Sequence, residues 1–199
     1  MACLLVSVSG WCQVAPRSVD ASFSAGYDHV GTGPNNDFAS NSGNSATFGG
    51  NGGLNLNRYL EAGGEFNYFN DPQPSVGGVM GLGMHILNYG GLVRFNLAPR
   101  AKAVPYGVFG VGGSHATAVA GVCTVGGCGS FSIGESGYYL GGGGGLSYYV
   151  GPNWGVRAEF RDNWNHFSYS GSTDSTNAIA VTGGLFYQFG GNASKLAKR

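Results

Sequence analysis

Charge is scarce in this chain. Asp, Glu, Lys and Arg make up 10% of its 199 residues, against roughly 25% in an ordinary soluble protein, too few to solvate a typical globular surface. Ten acids cancel ten bases, so no overall field favours nucleic acid or a strongly charged substrate. Long apolar runs are missing too. No stretch of about 18 apolar residues occurs, which argues against a membrane-spanning helix. A transmembrane β-barrel escapes that exclusion, because its apolar residues alternate with polar ones. Catalytic signatures are also lacking: there is no G-x-S-x-G, no H-E-x-x-H and no defensible serine, histidine and acid set, so neither enzyme activity nor a cofactor is expected.

What is abundant is glycine, at 39 residues, without the three-residue period of collagen. An aromatic fraction of 13% speaks against low-complexity disorder. The length fits one all-β domain. Residues 2–12 are apolar over the length of a secretory leader core, so residues 1–15 are expected to be a leader, 16–190 the folded domain and 191–199 a short tail. The leader is atypical, because no Lys or Arg precedes its apolar stretch. A lipid-anchored alternative through Cys12 meets the bulky Trp11 where a small residue is expected.

Period-2 alternation is the strongest pattern. In "VDASFSAGYDHV" Val19, Ala21, Phe23, Ala25 and Tyr27 share one face, and Asp20, Ser22, Ser24, Gly26 and Asp28 share the other. "ATFGGNGGLNLN", "YLEAGGEFNYF", "HILNYGGLVRFNL", "GYYLGGGGGLSYYV", "WGVRAEFRDNW" and "NAIAVTGGLFYQF" extend the series. "VPYGVFGVGGSHA" reads as a strand whose facing the pattern does not settle. Eight strands result. Long connections, near residues 31–45, 70–84, 117–134 and 166–176, alternate with short ones. An up-and-down sheet with all its long loops at one end is the arrangement of an outer-membrane barrel. Hydrocarbon makes open strand edges costly, so the eighth strand should close on the first. The expected fold is an all-β, eight-stranded, antiparallel, up-and-down transmembrane β-barrel. A soluble lipocalin-like barrel would point its aromatics inward, whereas here the polar face carries small and amide residues suited to a narrow lumen.

The final strand, "TGGLFYQF", carries Thr182, Gly184, Tyr187 and Phe189 in the pattern polar, any, glycine, any two, aromatic, any, aromatic. This is similar to the assembly signal of outer-membrane proteins. With "LNLNRYLEAGGEFNYF", "VPYGVFGVGGSHA" and "NWGVRAEFRDNW", the chain from about residue 19 to 190 resembles the OmpA-like eight-stranded outer-membrane β-barrel domain family. The resemblance implies a bacterial outer-membrane location, outer-membrane lipid as surroundings, and insertion by the barrel-assembly machinery, which reads the last strand. It implies no single activity, since such barrels serve as anchors, adhesins, surface-defence proteins and small pores.

Several residues are candidates for a role. Glu61, Glu65, Arg94, Arg157, Glu159 and Arg161 fall on the lumen parity as three acids and three bases, and are read as a self-neutralising network filling the interior. Eight strands leave room only for side chains, so a plugged lumen with a structural or surface-interaction role is expected, and a narrow pore for ions or small solutes is the alternative. The run Gly141–Gly145 sits within a strand pattern and lacks the lysine of a phosphate loop; it is read as a smooth wall for long side chains. Cys123 and Cys128 are expected to form a disulfide in the third long connection. His29, His85, His115 and His166 all fall near the long-connection ends of strands, and are read as polar edge residues, with a metal or pH-sensing cluster as the alternative.

Overall fold

Strands form where the sequence alternates, and each pairs with its chain neighbour. The structure, a computed structural model, describes residues 14–32, 43–72, 83–124, 127–169 and 172–190. Its strands are β1 (Val19–Thr32), β2 (Gly43–Asn55), β3 (Leu60–Pro72), β4 (Gly83–Asn96), β5 (Ala103–Thr124), β6 (Gly127–Tyr149), β7 (Trp154–Tyr169) and β8 (Ser172–Phe189). They close into one antiparallel barrel, with β8 paired to β1. No edge is left open, as hydrocarbon surroundings require.

The register sets the geometry of the interior. Partners of Phe23 followed through Gly50, Phe66, Tyr89, Gly113, Tyr138 and His166 reach Ser175 on β8, ten residues before Leu185, the direct partner of Phe23. Eight strands with this stagger leave an interior that side chains can fill. Alternation then sorts the residues. Phe23, Tyr27, Phe66, Tyr89, Phe95, Phe109, Phe160, Leu185 and Phe189 are exposed on the outer wall, while Asp20, Glu61, Asn88, Arg94 and Asn163 are buried inside.

Two expectations change. The third connection, read as a loop over 117–134, is mostly strand: β5 runs to Thr124 and β6 starts at Gly127. Small residues on both parities of this stretch erase the hydrophobic alternation, while backbone pairing of a hairpin needs none. The fourth connection shrinks for the same reason, with β7 reaching Tyr169 and β8 starting at Ser172.

The undecided fifth strand is resolved as well. Val104, Tyr106 and Val108 point inward and are buried, while Phe109 and Val111 are exposed. Both faces are apolar, so no parity signal exists. These inward residues belong to apolar layers at several heights of the lumen. Val14, Val104, Tyr149 and Phe186 cluster at the short-turn end, and Leu92, Tyr106 and Val108 form a second group. Phe69, Ile86, Phe167, Ala178 and Ala180 cluster toward the long-connection end. Val14 and Ala15, within the expected leader, are buried at the base; there Gln188 Nε2 and Asn55 Nδ2 both donate to Ser18 Oγ, at 2.6 and 3.0 Å.

Candidate functional site

Between the apolar layers lies the charged one. β3 and β4 place Glu61 and Arg94 directly opposite each other, and Arg94 Nη1 donates to Glu61 Oε2 at 2.6 Å. Arg94 Nη2 donates to Asn51 Oδ1 at 3.1 Å. From β7, Arg157 grips Asp20 of β1 with two nitrogens, at 3.1 and 3.2 Å, a fork-to-carboxylate geometry. Its Nε donates to Ser147 Oγ at 3.0 Å. Asp20 also lies 3.6 Å from Arg94 Nη1, so it joins the two arginines.

Four residues further along β3 and β7, Arg161 pairs with Glu65 through Nη1. Its Nε lies 3.1 Å from Glu159 Oε1. All six sequence-predicted charges are therefore in one layered network. The expected three-to-three balance is corrected by Asp20, which makes four acids against three arginines. Tyrosine hydroxyls answer the surplus acid: Tyr106 donates to Glu159 Oε2 and Tyr139 to Glu65 Oε1, each at 2.8 Å. The Tyr106 ring also lies under the guanidinium carbons of Arg94 and Arg157, 4.9 and 5.6 Å from its centroid. Neither tyrosine was legible as a site residue, because an aromatic on a barrel strand reads first as outer wall.

Glycine makes the room. A Cβ on Gly53 would collide with the Glu61 carboxyl, one on Gly110 with Glu65 Oε1, and one on Gly145 with the Tyr106 phenol. Of the five-glycine run, Gly141 faces the Asn163 carboxamide and Gly145 faces Tyr106. The side chains laid against it are thus amide and phenol, with the Arg161 stem at 3.7 Å from the Gly141 position. Arg157 lines two small polar cavities, one with Asp20, Glu61 and Tyr149, the other with Ser22, Asn67 and Glu159.

The remaining predicted residues lie outside this network. On β8, Thr182 and Gly184 take the lumen parity, while Tyr187 and Phe189 point outward with rings 4.6 Å apart. Cys123 and Cys128 are register partners across the β5–β6 hairpin; their side chains lie outside the described residues. The expected tail beyond Gly190 and the expected leader up to residue 13 also lie outside them. The four histidines sit on the outer wall. Among the described residues no three His, Cys, Asp or Glu side chains come together to hold a metal ion.

Comparison with known proteins agrees with this architecture. A family model described as outer membrane protein beta-barrel domain matches residues 1–189. The crystal structure of Neisserial surface protein A shares the fold at a TM-score of 0.63 and 15% identity, covering 86% of this chain and 97% of that one. Ail, the attachment invasion locus protein of Yersinia pestis, superposes at a TM-score of 0.51 and 13% identity, covering 86% and 99%. A search of curated protein sequences finds no match.

Proposed function

The chain belongs to the outer membrane protein beta-barrel domain family, and on that premise we propose that it works at the cell surface, through the long-connection end of a barrel whose lumen is closed by its own side chains. The observation that carries this reading is the layering of the interior. An ion-paired layer from Asp20 to Arg161 lies between the apolar clusters of Val14, Val104 and Tyr149 below and of Phe69, Ile86 and Phe167 above. A solute would have to part both apolar layers and break buried pairs, each worth about 3 to 5 kcal/mol when one partner is stranded. What remains for function is the outer end, where β1 leads into connection 33–42, β3 leads into connection 73–82, and β5 and β6 stay paired as far as Thr124 and Gly127. The membrane-spanning part needs about 9 to 11 residues per strand, and β5 and β6 have 22 and 23.

Ail is by name an attachment invasion locus protein, which supports a surface-interaction role on a shared architecture. A Cys123–Cys128 disulfide at the ribbon tip belongs to the same reading, supported by their direct register pairing. So does recognition of Thr182, Gly184, Tyr187 and Phe189 by the barrel-assembly machinery. Epitope tags inserted in 33–42 and 73–82 are expected to be labelled on intact cells, and tags in the turn 56–59 only after the envelope is opened. The reverse pattern would overturn the orientation.

The second reading, a narrow path for ions or small solutes, rests on Arg157 lining both polar cavities. Conductance decides between the two.

A further inference from the structure

Among the described residues the permanent cations avoid one region. Of the ten lysines and arginines, Arg94, Arg157 and Arg161 enter the lumen, and Arg17, Arg58, Arg100 and Lys102 lie at the short-turn end. Lys195, Lys198 and Arg199 follow β8 in sequence. Among the described residues none falls on the outer wall toward the long-connection end, and the sequence has none in connections 33–42, 73–82, 125–126 and 170–171. All four histidines of the chain do fall on that wall.

Their placement is a belt. His29 is on β1, His85 on β4, His115 on β5 and His166 on β7. A register that advances ten residues per circuit tilts a line of equal height by little more than one residue per strand, which puts the four histidines within about two residues of one level. His85 pairs in register with Thr117, so His115 is its diagonal neighbour on the same face.

Aromatic rings fill the gaps in the belt. Tyr68 stacks on His85 at 5.7 Å and on Phe48 at 4.8 Å. His166 lies 4.9 Å from Tyr138 and 5.6 Å from Trp164. Aromatic faces stabilise a neighbouring cation, and aromatic girdles mark the height of the lipid headgroups. Asn44 Oδ1 lies 2.6 Å from His29 Nδ1 and Ser136 Oγ 3.0 Å from His115 Nδ1. In each ring this leaves Nε2 as the nitrogen for an outside partner.

We propose that these four histidines form a belt that binds the phosphate groups of outer-leaflet lipid headgroups as the imidazoles take up protons. The inference rests on the outward orientation of the long-connection end given above. Lipid is the occupant because the belt runs round the barrel at headgroup height, where lipid approaches from every side. Its charge complements phosphate, and among the described residues no other cationic side chain serves that level. Histidine gains its charge between about pH 8 and 5, so contact strengthens as the medium acidifies.

The opposing groups are few. Asp162, paired with Ile179, which in turn pairs with His29, is the one acid of the described residues on this face. Tyr27, Tyr68 and Tyr138 are phenols on the same wall. Asp28 and Glu135 alternate to the lumen side, as does the backbone position of Asp71.

The full-length protein is placed in phosphatidylcholine nanodiscs containing a trace of spin-labelled lipid A, and enrichment of the label at the barrel is measured at about pH 8 and about pH 5.5. Enrichment is expected to rise on acidification by about fivefold for each histidine engaged. The rise should vanish when His29, His85, His115 and His166 are all replaced by Gln, and should persist when inorganic phosphate is added as a competitor. Should the fourfold variant fail to fold, by heat-dependent gel migration, the His85→Gln/His115→Gln pair carries the test with an expected partial loss. Enrichment that ignores pH, survives the folded variants, or is displaced by inorganic phosphate overturns the proposal. Surface labelling of a 73–82 tag in intact cells keeps its failure apart from a failure of the orientation.

Discussion

Arg94 and Glu61 face each other directly across β4 and β3, joined at 2.6 Å with both side chains buried in the barrel interior. The pair is held from outside as well as within: Asp20 reaches the same guanidinium at 3.6 Å and is itself forked by Arg157. Replacing one member therefore leaves the other charge buried without its direct partner.

Arg94→Met is expected to destabilise the folded barrel by about 3 to 5 kcal/mol, read from urea unfolding in lipid vesicles. The double variant Arg94→Met/Glu61→Leu should recover most of that loss, because it removes both charges and keeps the volume. A single variant that unfolds at the wild-type urea concentration would show that the network contributes nothing to stability.

Gly110→Val tests the space reserved for Glu65. A side chain there meets the Glu65 carboxylate, which Arg161 and Tyr139 both hold. A cost of about 1 to 3 kcal/mol is expected from overpacking. Gly183→Ala serves as the comparison, since an added Cβ there meets nothing within 4 Å and should change little. Equal effects at the two sites would refute the idea that lumen glycines are there for packing.

Asp162 is exposed on the outer wall of β7, between Phe160 and Trp164. A carboxylate facing lipid is unfavourable in a depth-dependent way, so Asp162→Leu is expected to stabilise the barrel by about 1 kcal/mol in vesicles. Loss of stability in that variant would instead mark the acid as paired with something outside the barrel.

Tyr187 and Phe189 stand in register with Ala21 and Val19, so each large ring is paired with a smaller side chain. Truncating both to Ala should lower the amount of barrel delivered to the outer membrane in cells several-fold, while refolding of the purified chain into vesicles changes little. If refolding fails to the same degree, the two rings act through barrel stability and not through the assembly machinery.

The strands were readable wherever the two faces differ in chemistry, as in β1, where Phe23 and Tyr27 alternate with Asp20 and Asp28. They were opaque where both faces are alike. Val104, Tyr106 and Val108 inside β5 match Phe109 and Val111 outside, and the small residues of 117–134 hide a paired ribbon. The charged layer followed from parity alone for six residues. Asp20 carries the same signal, on the polar face of the cleanest alternation, and the structure joins it to both Arg94 and Arg157. Tyr106 and Tyr139 had no such signal, because parity says where an aromatic points only after both faces of its strand are known. The apolar caps of the lumen are a property of three-dimensional closure: Phe69, Phe167 and Phe186 come from different strands, and only the register brings them to their levels.

Single-channel recording in planar bilayers tests the closed lumen most directly. With the wild-type protein inserted, and insertion shown by heat-dependent migration of the recovered sample, the account predicts no stable conductance step. A persistent step in the wild type that Arg157→Ala abolishes would contradict it and assign the Asp20–Arg157 layer to an ion path.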